Sequence, residues 1–459
     1  MQVVLNLLLS YYMCLPDLLD VRSLSLQQNF LVITSSTGIG IYDLNNRTLR
    51  TCFEVEDPDF GIMTPDLSRI YFIQGKYDLS YFDIPAGEKV LLRTLEFRPD
   101  IVGVGQKSII IVHSYNEILL DPAGFELPAS EKERNYTFPS RSGTLSYIPP
   151  IFNPFGEKVK VSAVLYDPLQ NLYFVGTRNT GVYIFDNKRK IFVDSIKTGL
   201  PNDFPILDAT CFNGNLWILT SNYLCAVRND FASKLIYASI LGSGEELTGI
   251  FNADSTLYIY TNQGKIFSVE NERLIFEKNL GIPVKNLYRN NSGFLVETQS
   301  GILEVTADGD STNIIRNYNI NEIDRLRPLG CGFAFLLKGK LYVNHGDTLF
   351  IISDSTTLDQ PVIDFETSGD TILALTFSHL LRISSASTKV IELPFNDPRR
   401  IFFDRENVFI WKWPFLATLS DGEDFSLETI QEVKEPVLKV LNFENRRVLV
   451  TSKRVWLRI

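Results

Sequence analysis

Short apolar strands separated by polar or glycine-containing turns recur along the whole chain. The first pair of strands covers residues 30–34 and 39–43, with a polar turn between them. Similar hairpins occupy residues 70–83, 172–186, 257–269, 294–305, 333–343 and 448–459. The strands are rich in β-branched and aromatic residues, and no long segment keeps an apolar period of 3.6 residues. The pattern therefore predicts an all-β protein rather than a helical solenoid.

The turns of these hairpins are spaced at nearly constant intervals. Their centres fall near residues 37, 75, 116, 180, 222, 263, 301, 339, 379, 413 and 453. The period is about 40 residues, which suits blades of four strands of about five residues each. A four-stranded sheet cannot cover both of its own faces, whereas blades stacked around an axis cover one another. We therefore predict a β-propeller built from four-stranded antiparallel blades.

The number of hairpins bears on the domain organisation. About eleven hairpins are more than the four to eight blades of an ordinary ring. Some hairpins are then two halves of one long blade, or the chain forms two rings. For residues 1–459 both the one-ring and the two-ring arrangement stay open. One interval, of about 64 residues, contains the irregular, proline-rich segment 124–158. We interpret this segment as an insertion or linker between the first blades (1–123) and the remaining blades (159–459).

The two ends of the chain are predicted to meet. Residues 437–459 contain about three strands, one fewer than a blade needs. The apolar run at residues 3–9 is a candidate for the missing strand. This run lacks a basic flank and a small-residue cleavage site, so no clear signal peptide is recognised.

Composition and charge narrow the function classes. The chain has 459 residues, 45% of them hydrophobic, and a net charge of −10. No basic patch is visible, so we expect no nucleic-acid partner. No stretch reaches the roughly 18 to 20 apolar residues of a transmembrane helix. Five scattered cysteines form no CxxC pair, and a disulfide between Cys211 and Cys225 is left open because both could lie on neighbouring strands.

One stretch of the chain carries a more specific repeat motif. It runs from residue 167 to 182, continues through a Gly-Leu-Pro spacer at 199–201, and is followed by a second unit at 212–220. Its characteristic residues are Asp167, Asn171, Gly176, Thr177, Gly181, Gly199, Pro201 and Trp217. This stretch resembles the two-component-regulator propeller repeat, with its pattern D-x-x-G-N-L-W-x-G-T-x-x-G-L. The resemblance covers about two blades, and most other blades lack the N-L-W element.

The resemblance implies a role in sensing. In that family such propellers form the periplasmic sensor part of bacterial histidine kinases and hybrid regulators, and similar blades occur in cell-surface and secretion-associated proteins. It therefore favours a periplasmic or cell-surface location. The motif residues are blade-packing residues in that family and include no catalytic group.

Motifs for catalysis or for cofactors are missing from the sequence. The three histidines, His113, His345 and His379, are not spaced as metal ligands. The sequence contains no GxSxG elbow, no Walker loop and no HExxH motif. We therefore expect no metal site, no cofactor and no catalytic residue. Carboxylates from different blades could still meet at a ring axis, which leaves a polysaccharide lyase or glycoside hydrolase as an alternative.

Two aromatic features are candidates for a binding surface. Trp411 and Trp413 lie two residues apart, and Tyr136 and Tyr147 lie in the irregular segment. Aromatic side chains of this kind commonly contact ligands or partners. The sequence thus favours a non-catalytic recognition module that binds a glycan, another ligand or a protein partner. A propeller enzyme and an intracellular WD40-like scaffold subunit are the alternatives.

Overall fold

The structure is a computed structural model of the whole chain. It describes residues 8–9, 12–14, 18–140, 148–152, 158–178, 180–197, 205–228, 233–238, 240–253, 255–270, 273–290, 293–308, 311–320, 322–330, 332–345, 348–352, 360–385, 387–404, 407–420, 424–444 and 446–458.

Strands dominate these described residues, and they form eleven sheets. The two N-terminal strands are β1 (Leu8–Leu9) and β2 (Tyr12–Cys14). The next four sheets are β3 (Val21–Gln27), β4 (Phe30–Ser35), β5 (Gly38–Asp43) and β6 (Thr48–Glu54); β7 (Pro58–Met63), β8 (Arg69–Gln74), β9 (Asp78–Asp83) and β10 (Glu88–Thr94); β11 (Ile101–Val104), β12 (Ile109–His113), β13 (Asn116–Leu120) and β14 (Glu126–Leu127); and β15 (Val161–Asp167), β16 (Leu172–Thr177), β17 (Val182–Asp186) and β18 (Ile191–Ile196). A 3₁₀ helix, Ala129–Glu131, follows β14.

The other seven sheets follow in chain order. They are β19 (Ile206–Phe212), β20 (Asn215–Thr220), β21 (Tyr223–Val227) and β22 (Ser233–Tyr237); β23 (Leu247–Ala253), β24 (Thr256–Thr261), β25 (Lys265–Glu270) and β26 (Arg273–Asn279); β27 (Asn286–Asn290), β28 (Gly293–Thr298), β29 (Gly301–Asp308) and β30 (Ser311–Tyr318); β31 (Arg325–Leu329), β32 (Gly332–Leu337), β33 (Lys340–His345) and β34 (Thr348–Ile351); β35 (Asp364–Ser368), β36 (Thr371–Leu375), β37 (His379–Ile383) and β38 (Thr388–Glu392); β39 (Arg400–Asp404), β40 (Asn407–Lys412), β41 (Phe415–Leu419) and β42 (Phe425–Thr429); and β43 (Val437–Phe443), β44 (Arg446–Thr451) and β45 (Val455–Arg458).

The predicted hairpins are the central pairs of these sheets. In the first sheet, for example, β4 and β5 run antiparallel, with Phe30 opposite Asp43 and Thr34 opposite Ile39. Each predicted hairpin lies in a different sheet, so none is half of a longer blade. The predicted fold class, a β-propeller of four-stranded antiparallel blades, is confirmed.

The chain divides into two compact units. One comprises Met1–Met13, Phe204–Leu224 and Leu235–Ile459, and the other comprises Cys14–Asp203 and Cys225–Lys234. The second unit contains the four sheets β3 to β18, and we call it the four-sheet unit. The first contains the innermost strands of the other seven sheets, and we call it the seven-sheet unit. The interpretation of residues 124–158 as a linker or insertion stays a prediction.

The seven-sheet unit is closed around its axis. The first strand of each sheet contacts the first strand of the next, from β19 through β43, and β43 contacts β19 again. At this closure Lys439 Nζ donates to Asp208 Oδ1 at 2.7 Å, and the N–H of Ile206 donates to the carbonyl of Ser452 at 2.7 Å. Seven blades therefore form a complete ring without an open radial face.

The N-terminus completes the last sheet. Strand β2 lies beside β45, so the sheet with three strands of its own gains the fourth. Residues 12–14, rather than the predicted residues 3–9, form this fourth strand. Leu8 and Leu9 instead pair in parallel with Glu428 and Thr429 of β42, as a fifth strand of the preceding sheet. Residues 3–7 lie outside the described part of the chain.

Apolar side chains between neighbouring sheets form the core. Val32 and Ile39 of the first sheet pack against Ile70 and Phe72 of the second, and all four are buried. Both faces of these inner strands are covered, which explains their continuous apolar sequences. Burial of this kind contributes roughly 25 cal/mol per Å² of apolar surface.

Two further sequence expectations concern cysteines and membrane spans. Cys211 lies on β19 and Cys225 on β21, with β20 between them. The expectation that they lie on neighbouring strands is therefore wrong. Among the described residues, none of the helices has the length and apolar character needed to cross a bilayer.

Candidate functional site

A charged cleft opens in the four-sheet unit where its innermost strands begin. Strand β3 contacts β7 and β15, and β7 contacts β11, so the first strands of the four sheets lie together. The cleft has a volume of about 770 Å³. Polar side chains line it more than apolar ones do. Cavities of about this size are typical of small-ligand sites.

Residues near the start of each inner strand supply the cleft walls. Arg22 is the second residue of β3, Asp59 the second of β7 and Ser162 the second of β15, while Asp100 directly precedes β11. Lys76 joins them from the turn between β8 and β9. Alternation along a strand explains this placement. In β3, for example, Val21 is buried in the core and the next side chain faces the cleft.

Oppositely charged groups are paired around the cleft. Arg22 Nη1 forms an ion pair with Asp57, and Arg178 Nη1 donates to Asp20 Oδ1 at 2.9 Å. Asp100 Oδ2 accepts the N–H of Ser114 at 2.8 Å. These contacts fix the directions of the charged groups. The cleft thus presents both signs of charge on a preformed wall.

Two cations of the cleft have no carboxylate within hydrogen-bond distance among the described residues. Arg98 approaches a carboxylate only at 3.8 Å, from Nη2 to Asp59 Oδ2, which is too long for a hydrogen bond. Its side chain is 56% exposed. Lys76 is exposed and has no ion-pair partner within the residues that the structure describes. Both side chains therefore keep N–H donors for other groups.

A segment of the irregular region crosses the centre of the four-sheet unit. We call residues 133–140 the strap. Its Thr137 exchanges two backbone hydrogen bonds with Val104 of β11, and its Ser140 exchanges two with Leu24 of β3. Ser140 Oγ also donates to the carbonyl of Val164 on β15. The strap therefore ties the inner strands of three sheets together, and its end contributes Ser140 to the cleft.

The carboxylate of Glu133 anchors the other end of the strap. It accepts the N–H groups of Gln106 and Lys107, each at 2.8 Å, and the Ser108 hydroxyl at 2.6 Å. A Cβ on Gly105 would lie 2.5 Å from Glu133 Oε1, so a larger residue there would make this carboxylate shift. Burial alone would raise the pKa of Glu133, but the hydrogen bonds outweigh it and lower the pKa.

The predicted binding residue Tyr136 belongs to this anchor. Its hydroxyl lies 2.8 Å from Ser108 Oγ and accepts the N–H of Glu133 at 3.1 Å. The side chain is half-buried. Its hydroxyl therefore holds the strap, and a role of its ring in binding stays a prediction. Tyr147 lies outside the described residues.

The seven-sheet unit contains a second charged group, buried between inner strands. Arg325 and Arg327 of β31 face Asp364 and Glu366 of β35. Arg327 Nε donates to Glu366 Oε2 at 2.7 Å, and its Nη1 donates to the hydroxyl of Tyr288 at 2.9 Å. Residues two apart on a strand point to the same side of the sheet, so the two arginines of β31 face the two carboxylates of β35. The group joins three consecutive blades.

The two buried carboxyl groups differ in their electrostatics: burial raises the pKa of Asp364, although Arg325 opposes this. Burial would raise the pKa of Glu366, but the two neighbouring guanidinium groups of Arg327 and Arg325 lower it to about 2. Glu366 therefore stays ionised at neutral pH and holds no proton to donate. Within the described part of the chain, no three His, Cys, Asp or Glu side chains are grouped as a metal site.

The structure separates the two predicted tryptophans. Trp411 is 3% exposed and packs in the sheet of β40, whereas Trp413 lies in the following turn and is 51% exposed. The indoles therefore do not share one surface. A binding role for Trp413 stays a prediction.

The described motif residues lie on strands or in the turns that connect them. Asp167 Oδ1 accepts the N–H of Leu169 at 2.9 Å, and Asn171 adopts a positive φ of 54°. Thr177 Oγ1 donates to the carbonyl of Gly181 at 2.7 Å. Their role in blade packing stays a prediction.

The other motif residues are placed as follows. A Cβ on Gly176 would lie 2.6 Å from Val21 Cγ1 of a neighbouring sheet. Trp217 Nε1 donates to the carbonyl of Phe212 at 3.1 Å. Gly199 and Pro201 lie outside the described residues.

Sequence reasoning did not identify the charged cleft. Its signal was present, because a charged or hydroxyl residue stands near the first position of each inner strand, as at Arg22, Asp59, Asp100 and Ser162. Single polar residues at strand ends are common, however. Only the assembly of the four strands shows that these belong together.

Comparisons with known proteins find similar structures but no sequence relative. No protein-family model matches the chain, and the search of curated proteins gives no match. The extracellular domain of the hybrid two-component system BT4673 from B. thetaiotaomicron is 13% identical, with a TM-score of 0.44 over 95% of this chain and 70% of that chain. PorZ, a surface component of the type-IX secretion system of Porphyromonas gingivalis, is 12% identical, with a TM-score of 0.40 over 95% and 68%.

An enzyme also appears among the similar structures. A catalytically inactive virginiamycin B lyase from Staphylococcus aureus is 12% identical, with a TM-score of 0.42 over 57% of this chain and 97% of that chain. Two-component-system ectodomains, the class of protein that the repeat motif resembles, are also among the similar structures.

Proposed function

We propose that this propeller protein is a non-catalytic recognition module and that the charged cleft of the four-sheet unit is its binding site. The cleft carries this proposal, because it brings charged side chains from four sheets to one opening of about 770 Å³. Arg22, Asp59 and Ser162 lie on inner strands, which favours a preformed site. A carbohydrate or a small polar ligand fits its mixture of carboxylates, cations and hydroxyls.

The state of the carboxylates supports binding rather than catalysis. Asp57 pairs with Arg22, and Asp100 accepts a backbone N–H. A glycoside hydrolase needs one carboxyl group that carries a proton near neutral pH. A periplasmic or cell-surface location belongs to the same proposal and rests on the repeat resemblance.

Asp100 offers the sharpest test. The variant Asp100→Asn removes the charge but keeps an oxygen that can accept the N–H of Ser114. Binding of neutral and acidic oligosaccharides would be measured by calorimetry. We expect Asp100→Asn to weaken binding about tenfold, since a hydrogen bond to a charged group contributes about 1.5–3 kcal/mol.

Asp194→Asn is the matched control. Asp194 is an exposed carboxylate on β18 that also accepts a backbone N–H, from Ser195 at 2.8 Å, and it does not line the cleft. We expect it to leave binding unchanged. If the two variants bind every oligosaccharide as the wild type does, the cleft is not the site.

A further inference from the structure

We infer that the cleft recognises its ligand through an oxyanion, a carboxylate, sulfate or phosphate group, held by Lys76 and Arg98. This inference rests on the proposed function of the cleft. It follows from the difference between these two cations and the other two that line the same opening.

The other two cations already have close carboxylate partners. Arg22 is paired with Asp57, and Arg178 donates to Asp20 at 2.9 Å. Their guanidinium groups contribute to the wall and are partly shielded, with side chains 23% and 42% exposed. These carboxylates already neutralise the two guanidinium groups, which weakens their attraction for a ligand oxyanion.

Lys76 and Arg98 have no carboxylate within hydrogen-bond distance among the described residues. The Arg98 guanidinium has no hydrogen-bond acceptor among the described residues, since its nearest carboxylate oxygen lies 3.8 Å away. The Lys76 ammonium has no acceptor in the same part of the chain. Both groups line one cleft, and the inference places the oxyanion between them. Arginine suits this role because its planar fork binds carboxylate, sulfate and phosphate in two-pronged geometry.

The remaining charges limit the ligand to few negative groups. Asp57, Asp59 and Asp100 also line the cleft, so its cations outnumber its carboxylates by only one. A polyanion would meet repulsion from these three groups. A small ligand with one oxyanion avoids it, and its hydroxyl groups can donate to the wall carboxylates.

Three probes separate the oxyanion from the rest of a ligand. They are a disaccharide that ends in glucuronic acid, its carboxyl-reduced neutral form, and glutarate. Calorimetry would compare wild type with Lys76→Gln, Arg98→Gln and the control Lys188→Gln, an exposed lysine of the same unit outside the cleft. We expect each cleft variant to bind the acidic disaccharide about tenfold more weakly than wild type does and to bind the neutral form unchanged. The control variant Lys188→Gln should bind the probes as wild type does. Raising the salt concentration weakens acid binding as well.

The outcomes distinguish failure of the oxyanion inference from failure of the proposed function. If the protein binds the acidic disaccharide but not glutarate, the oxyanion belongs to a sugar ligand. If it binds glutarate as well, the oxyanion is sufficient for binding. Both results support the inference. If the acid and its neutral form bind with equal affinity, and Asp100→Asn weakens the binding of both, the inference is overturned and the proposed function stands. Failure of all three probes at millimolar concentration would overturn the inference, and the proposed function would then be judged by the oligosaccharides tested with Asp100→Asn.

Discussion

Arg325 Nη1 donates hydrogen bonds to both carboxylate oxygens of Asp364, at 2.7 Å each. The two side chains are 9% and 4% exposed. Asp364 Oδ2 also accepts the N–H of Ile401, at 3.1 Å. Through this one ion pair, β31, β35 and β39 are joined at the inner side of the ring. One buried ion pair therefore links residues of three consecutive blades.

Removing that guanidinium leaves the buried carboxylate of Asp364 without its ion-pair partner. We expect Arg325→Met to lower the free energy of unfolding by about 3–5 kcal/mol, the usual cost of breaking a buried pair from one side. Urea unfolding measures it. Lys338→Met is the control, because Lys338 pairs with Glu322 at 3.3 Å with both side chains more than three-quarters exposed, and such a pair contributes about 0–1 kcal/mol. Equal losses in the two variants would contradict the assigned role of Arg325.

The anchor of the strap is expected to depend on pH. The folded-state pKa of Glu133 is lowered, so its contribution is present above the unfolded pKa of about 4.3 and is lost as the pH falls through the folded value. At pH 7 we expect Glu133→Gln to lower the free energy of unfolding by about 1–3 kcal/mol.

Unfolding curves at several pH values test the anchor. The difference between wild type and Glu133→Gln shrinks below about pH 4 if the carboxylate is responsible. Glu131→Gln, an exposed position in the adjacent 3₁₀ helix, serves as control and should show no such difference. A difference that stays constant down to pH 2 would show that the charge of Glu133 is not what holds the strap.

The N-terminal strands make different contributions to the ring. Removing residues 1–14 deletes both β1 and β2, and the last sheet then exposes the edge of β45. We expect this truncation to lower the melting temperature by several degrees, since about 1 kcal/mol corresponds to about 2–4 °C in a domain of 150 to 250 residues. Removing residues 1–10 deletes only the two-residue strand β1 and should cost less. Equal melting temperatures for the two truncations would contradict the role of β2.

The closure of the ring includes a partly exposed ion pair. Lys439 Nζ lies 2.7 Å from Asp208 Oδ1, and the side chains are 34% and 28% exposed. A double-mutant cycle with Asp208→Ala and Lys439→Ala should give a coupling energy of about 0.5–1 kcal/mol. Chemical denaturation measures it, and salt should reduce it. A coupling near zero would show that this ion pair does not help to close the ring.

The local pattern of the sequence predicted the sheets well, and the cleft poorly. Strands such as β4 and β5 pair with their neighbours in sequence, so alternation and turns suffice to find them. The cleft instead depends on contacts between distant residues, as in the pair of Arg178 and Asp20. No local pattern reports that these side chains meet.

The sequence by itself determined the eleven hairpins, their period and the need for a strand from the N-terminus, because strand pairing within a blade is local. The tertiary structure decided the division into four and seven sheets and the choice of Tyr12–Cys14 as the closing strand. It also decided the path of the strap and the gathering of charges at the cleft. Each of these depends on which blade faces stack, and that follows from side-chain packing between segments far apart in the chain.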